Sequence, residues 1–231
     1  MLDFSNIRAM TLDLDDTLWP IRPTIERAEA RLQQWLAERA PATATLFSSL
    51  PERLALRAQV ERDMPHISHD LSALRLETIR LALRSAGDPE NLAQGGFDVF
   101  FEARMDVTLY GEVVDALTRL SARMPLLALT NGNADVRRVG LGDFFQGSVG
   151  ASEAGFAKPD PRIFLAAADA LQCAPHQVLH VGDDPHMDVL GALDAGMQSA
   201  WVNRTGAVWQ HPQTPHLHVQ DLAQLCSRLG V

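Results

Sequence analysis

The spacing of strand-length apolar runs constrains this chain more than any other feature. Such runs, each ending in a polar cluster, occur at residues 7–12, 126–129, 178–181 and 199–202. Helical patterns follow the later ones, and strands alternating with helices predict an α/β fold with a mainly parallel sheet. No comparable strand lies between the first run and the second. Residues 20–106 read instead as helices, in "TIERAEARLQQWLAER", "ERLALRAQVERD", "DLSALRLETIRLALRSAG" and "PENLAQGGFDVFFEARM". In the third, Leu71, Leu74, Thr78 and Leu81 recur near the 3.6 period and predict one buried face. Gly87 suits that helix's end, and Asp88-Pro89 suits an N-cap followed by a first-turn proline. The expected organisation is therefore an α/β core from residues 1–19 and 107–231, interrupted after its first strand by an all-helical domain, 20–106.

Parallel sheets bind ligands beyond the carboxyl ends of their strands. The clusters "DLDDT", "TNGN" and "GDD" should therefore meet in one crevice. The chain carries 29 acidic against 20 basic Lys and Arg residues, a net charge of −9 with no offsetting basic stretch. That balance disfavours nucleic acid or an anionic membrane as the main partner, and leaves room for a small anionic substrate met by a local cation. "MLDFSNIRAM" lacks the pattern of a signal peptide, and no run approaches the ~20 apolar residues that span a bilayer. Cys173 and Cys226 form no CxxC pair and read as reduced packing residues of a cytoplasmic protein, monomeric or homodimeric. The histidines of "HPQTPHLHV" suggest zinc at first sight, but Pro212, Pro215 and the alternation in "HLHV" favour a loop and an edge strand.

Two carboxylates about 4 Å apart repel by roughly 4 kcal/mol at an effective dielectric of 20. Closing an apolar strand with Asp13, Asp15 and Asp16 therefore calls for a hard cation, which prefers oxygen ligands. Asp13 and Asp15 share one face by strand alternation, and Asp16 points elsewhere. If Asp13 attacks phosphorus, a cation must screen its approach to an anionic substrate, and Asp15 can then protonate the leaving alcohol and later activate water. Thr17 supports the loop. Thr130 and the Gly-containing turn of "TNGN" form a candidate phosphate cradle. In "AKPDPRIF", Pro159 keeps Lys158 in extended backbone, and Asp160-Pro161 opens a helix carrying Ile163, Phe164 and Ala167. Lys158 can then neutralise both nucleophile and phosphoryl group. In "VLHVGDDPHMDVLGALDAGM", Asp183 is a third metal carboxylate, Asp184 an N-cap before Pro185, and Asp188 a group that orients Lys158 or a metal-bound water. The helix begun by Pro185 should end at Gly196.

The ordered set "DLDDT", "TN", "KP" and "GDD…D" resembles the haloacid dehalogenase-like hydrolase superfamily across the whole α/β part. The resemblance implies a Rossmann-like core with an inserted helical cap. It implies Asp13 as a nucleophile forming an aspartyl-phosphate and Asp15 as general acid/base. It also implies Mg²⁺ held by Asp13, the backbone carbonyl of Asp15, and Asp183. Thr130 would bind phosphoryl oxygens, Asn131 would supply a backbone donor, and Lys158 would complete the charge balance. Dehalogenases of the superfamily lack a carboxylate equivalent to Asp15. Phosphonate-cleaving members usually have a small residue there and a cap lysine, whereas residues 20–106 contain no lysine. A phosphatase of small phosphorylated metabolites fits better. The runs "LDLDDTLW", "ALTNGN", "LGDFF" and "GALDAGM" are similar to a bacterial group acting on flavin mononucleotide and 5-amino-6-(5-phosphoribitylamino)uracil. Trp19, Arg22, His69 and Arg75, with His66, Asp70 and Arg104, are candidates for substrate selection. The rival readings are a phosphomutase of the same fold and a receiver-like module carrying a phosphorylated aspartate.

Overall fold

The computed structural model describes residues 5–231, so the opening four residues of the "MLDFSNIRAM" reading lie outside the described residues. The chain forms two compact units: one from the segment ending at Pro20 together with Thr108–Val231, the other Ile21–Val107. The expected boundaries at 19/20 and 106/107 stand one residue earlier.

The first unit is a six-stranded, wholly parallel sheet in the order β3-β2-β1-β4-β5-β6. Its strands are β1 (Ala9–Leu12), β2 (Leu126–Thr130), β3 (Gly147–Gly150), β4 (Val178–Gly182), β5 (Gln198–Val202) and β6 (Leu217–Val219). β1, β2, β4 and β5 are buried along their whole length, as parallel strands covered on both faces must be. The edge strands are the exceptions. β6, the "HLHV" edge strand, alternates buried and exposed positions, and β3 has only one buried residue. β3, "GSVG", has no apolar run and escapes detection by periodicity.

Helix α8 (Pro161–Ala170) starts at Asp160, whose carboxylate caps the Arg162 N–H. It buries Ile163, Phe164, Ala167 and Ala168 against Leu127, Leu129, Val178 and Met197. Helices α6 (Val113–Ser121) and α10 (Leu222–Leu229) are joined by a contact from the Cys226 thiol to the Ala116 carbonyl. Asp184 caps Pro185–Leu190, a stretch of wide helical turns that continues as α9 (Gly191–Asp194) and stops before Gly196 at φ 78°. Cys226 is buried and Cys173 half-buried, and both are free thiols.

The second unit contains α1 (Ile21–Arg39), α2 (Pro41–Phe47), α3 (Leu50–Asp63), α4 (Leu71–Ala86) and α5 (Ala93–Arg104). Ala28, Leu32 and Leu36, four residues apart, form the inner stripe of α1 and pack with Ile79, Leu83 and Phe100. Gly95 and Gly96 let α5 approach α1: a Cβ on Gly95 would stand 2.9 Å from the Trp35 ring. Two local expectations are corrected. Leu71, the first residue after the Asp70 cap, is 36% exposed, Leu81 is half-buried, and the buried stripe of α4 is Leu74, Thr78, Ile79, Ala82 and Leu83. Asp88 does not cap the next helix. Its carboxylate accepts from the Thr43 N–H at 2.8 Å and the Thr43 hydroxyl at 2.7 Å, joining α2 to the end of α4. Gly87 ends α4 in the left-handed region at φ 79°, as expected. Among the described residues, no helix is long and apolar enough to cross a membrane.

Candidate active site

The sheet order reverses direction between β1 and β4, the position where parallel α/β folds open a ligand crevice. Leu12 pairs with Val181, and the Asp13 N–H donates to the Val181 carbonyl at 2.9 Å. Asp13 therefore leaves β1 beside Gly182, with Asp183 next in line from β4. Ligand oxygens of Asp13, Asp183 and Asp188 all lie within 4.8 Å of one another.

Lys158 enters this acidic group from the loop before α8. Its ammonium donates to Asp13 Oδ1 and to Asp188 Oδ1, both at 2.6 Å, and is almost wholly buried. Burial opposes its charge, but Asp13 and Asp188 together outweigh that and hold the ammonium above its ordinary range. Asp188 lies below the usual carboxylate range: burial would raise it, and Lys158 with the His180 hydrogen bond more than reverses this. Asp13 is displaced upward. Burial is the largest cause, Lys158 works against it, and the charges of Asp188 and Asp183 add to it. Burial and Asp188 push Asp183 up to about 7, although the Thr17 hydroxyl, donating at 3.0 Å, opposes them.

One buried ammonium thus faces three carboxylates. Asp188 already accepts from Lys158 and His180 on Oδ1 and from the Asp184 N–H on Oδ2 at 2.9 Å. Asp13 and Asp183 carry the uncompensated charge, and their chemistry fits a hard divalent cation.

The remaining predicted residues take defined places. Asp15 is half-buried and accepts from the Trp19 indole N–H at 2.8 Å. Trp19, a candidate for substrate selection, has no exposed surface, and its one polar atom is committed to Asp15. Asp16 sits in the left-handed region at φ 58°, and its N–H donates to the Trp19 carbonyl. The buried Thr130 hydroxyl accepts from the Gly132 N–H at 2.9 Å and keeps its own proton to donate. The Asn131 side chain clasps the Lys158 backbone: Oδ1 accepts from the Lys158 N–H at 2.7 Å and Nδ2 donates to the Lys158 carbonyl at 2.9 Å.

In the helical unit Arg22 is exposed and paired with Glu26, and His69 is half-buried. Asp70 caps α4, and Arg104 is buried on α5. Arg75 pairs with Glu29 at 2.7 Å and lies over the Phe100 ring. His66 is exposed.

Sequence reasoning missed His180. It is buried, with Nδ1 2.8 Å from the Thr11 hydroxyl and Nε2 3.1 Å from Asp188 Oδ1. A carboxylate can only accept, so Nε2 carries the proton and Nδ1 receives the Thr11 hydroxyl. Burial pulls the ring's pKa below the ordinary imidazole range, against the opposing pull of Asp188. Its signal was a lone polar residue inside the apolar run of β4.

A parallel α/β sheet with a carboxylate–lysine centre at its switch point defines a hydrolase-type site on a Rossmann-like core. Residues 7–196 match the family model for haloacid dehalogenase-like hydrolases, and the chain belongs to that family. It is 34% identical over 229 residues to 5-amino-6-(5-phospho-D-ribitylamino)uracil phosphatase YigB of Escherichia coli, covering 96% of this chain and 95% of that one. It is 31% identical to a phosphoserine phosphatase of Thermus thermophilus, covering 95% and 98% of the two chains. Among solved structures it is similar to a 2-haloacid dehalogenase from Pseudomonas syringae pv. Tomato, at 38% identity and a TM-score of 0.92 over 97% and 98% of the two chains.

Proposed function

We propose that this chain is a Mg²⁺-dependent phosphatase of a small phosphorylated metabolite, working through an aspartyl-phosphate. The observation that carries this reading is the placement of Asp13, held by Lys158 and set within one cluster with Asp183. An Asp13 oxygen attacks phosphorus, the bond from phosphorus to the ester oxygen breaks, and Asp15 gives its proton to the departing alkoxide. Asp15 then takes a proton from water, which attacks the aspartyl-phosphate and frees phosphate and the Asp13 carboxylate. The Trp19 indole holds one Asp15 oxygen throughout. Lys158 balances the charge of nucleophile and phosphoryl group, and the Thr130 hydroxyl and the Asn131 N–H receive the phosphoryl oxygens. Mg²⁺ on Asp13, the Asp15 carbonyl and Asp183 would screen the approach of one anion to another.

Similarity to a protein described as a dehalogenase raises a second reading. A halide leaves without a proton, however, whereas an alkoxide needs one, and Asp15 supplies the acid that only the ester requires. Similarity to the E. coli enzyme favours 5-amino-6-(5-phospho-D-ribitylamino)uracil as substrate, and the motif resemblance adds flavin mononucleotide as a second candidate. Substrate selection is assigned to the helical unit as a cap.

A screen with Mg²⁺ tests the reading. It should compare phosphate release from these two compounds, phosphoserine and sugar phosphates with halide release from 2-haloacids. Preferential hydrolysis of flavin-type esters, silenced by EDTA and by Asp13→Asn, is expected. Halide release without phosphate release would overturn it, and transfer of phosphate to a second hydroxyl would identify a mutase.

A further inference from the structure

Past Gly182, which pairs with Trp201, the ladder between β4 and β5 ends, and the next peptide must find other partners. That peptide joins Asp183 to Asp184, and both of its polar groups are engaged by side chains. The Trp201 indole N–H donates to the Asp183 carbonyl at 2.7 Å, and the Asp184 N–H donates to Asp188 Oδ2 at 2.9 Å. Holding both ends of this peptide restrains the backbone from which the Asp183 side chain springs.

The Trp201 ring is itself braced. It is 2% exposed, stacks on His218 with centroids 4.6 Å apart and planes at 25°, and meets the edge of Trp209 at 5.0 Å. Trp209 is tied by its own indole N–H to the carbonyls of His211 and Gln213, both at 2.9 Å. His218 lies 3.1 Å from the Asn203 amide. The histidine-rich segment that superficially suggests zinc is thus used in ring packing and backbone bonding behind the acidic cluster. His216 likewise accepts from the Ser199 N–H at 3.2 Å.

We propose that Trp201, braced by His218 and Trp209, is a positioning residue for Asp183 that tunes divalent-cation affinity through the Asp183–Asp184 peptide. This rests on the reading of Asp183 as a cation ligand. Loss of such outer contacts typically weakens metal binding 10–100-fold.

The test is Mg²⁺ titration of the full chain, followed by calorimetry and by the Mg²⁺-induced rise in unfolding temperature. Trp201→Phe keeps the stacked ring and deletes only the N–H. It should weaken Mg²⁺ binding about tenfold and shrink the Mg²⁺-induced rise measured against its own EDTA baseline. His218→Leu, which removes the stacking partner and leaves the N–H, should weaken binding in the same direction by a smaller factor. Val202→Ala, a cavity in the same strand, should lower both baselines while leaving the Mg²⁺-induced rise intact. Wild-type Mg²⁺ affinity in Trp201→Phe, or a Val202→Ala loss as large, overturns the inference. If wild-type protein shows no Mg²⁺-induced rise at all, the ligand assignment of Asp183 fails instead. Should Trp201→Phe not fold, His218→Leu alone decides, and unchanged affinity there counts against the proposal.

Discussion

Adding one methyl group at Gly182 should disable the site from behind. A Cβ there would lie 2.2 Å from Asp188 Cγ, 2.4 Å from its Oδ2 and 2.6 Å from its Cβ, all far inside van der Waals contact. Gly182 is not among the positive-φ glycines, so alanine meets no backbone obstacle and the effect is purely steric. Relief requires Asp188 to retreat by roughly 1 Å, since carbon–carbon contact begins near 3.5 Å. Asp188 cannot move freely, being held by Lys158 at 2.6 Å, His180 at 3.1 Å and the Asp184 N–H at 2.9 Å. Overpacking of this kind costs about 1–3 kcal/mol. Loosening a buried charge pair adds to it, because losing a partner outright costs about 3–5 kcal/mol. A total near 4 kcal/mol corresponds to a fall of roughly 10 °C in unfolding temperature for a chain of this size. A displacement of about 1 Å in a group that positions the nucleophile's partner can cost 10²-fold in rate. The assay is thermal unfolding of Gly182→Ala together with phosphatase kcat, measured well below the lowered transition. Wild-type stability and turnover would refute the packing argument; lost stability with wild-type kcat would refute the claim that Asp188 orients Lys158.

Asp183, with its pKa pushed up to about 7, should make the cation-free protein less stable as pH rises from about 4 through 7, because the folded state there holds a proton that the unfolded chain has released. Urea unfolding in EDTA should show Asp183→Asn more stable than wild type at pH 8 by up to about 4 kcal/mol, and a less stable variant would contradict it. Replacing Asn131 by Ala removes both bonds that clasp the Lys158 backbone. It should lower kcat about 10²-fold with little change in KM, and an effect confined to KM would place Asn131 in substrate binding instead. Trp19→Phe should depress the rate of leaving-group departure most for esters of poorly acidic alcohols, since it frees the Asp15 oxygen held at 2.8 Å. Equal losses on activated and unactivated esters would argue against Asp15 as the acid.

Local chemistry made much of this protein legible in its chain. Asp184 before Pro185 and Asp160 before Pro161 cap the helices they announced, because a cap needs only its next three residues. The inserted helical segment stood out because an α/β alternation was suspended over residues 20–106. The acidic end of β1 declared a charge problem on its own. Periodicity failed where side chains are absent or shared: β3 is built from "GSVG", and Asp88 serves Thr43 rather than the adjoining helix.

Partnership across the sheet belongs to the tertiary structure alone. Strand order brings β4 beside β1, so His180 meets Thr11 across 169 residues, and the loop before α8 carries Lys158 to Asp13 across 145. No local pattern encodes those encounters. Trp19 and Trp201 make the point most simply, since neither segment names the partner of its indole. What distinguishes them is the acceptor that folding sets against each indole N–H, one the Asp15 carboxylate and the other the Asp183 carbonyl. Composition and spacing determined which reactive groups exist and on which element each resides. Which of those groups share a proton, a charge or a hydrogen bond was decided by the sheet, because electrostatic and hydrogen-bond energies depend on distance through space.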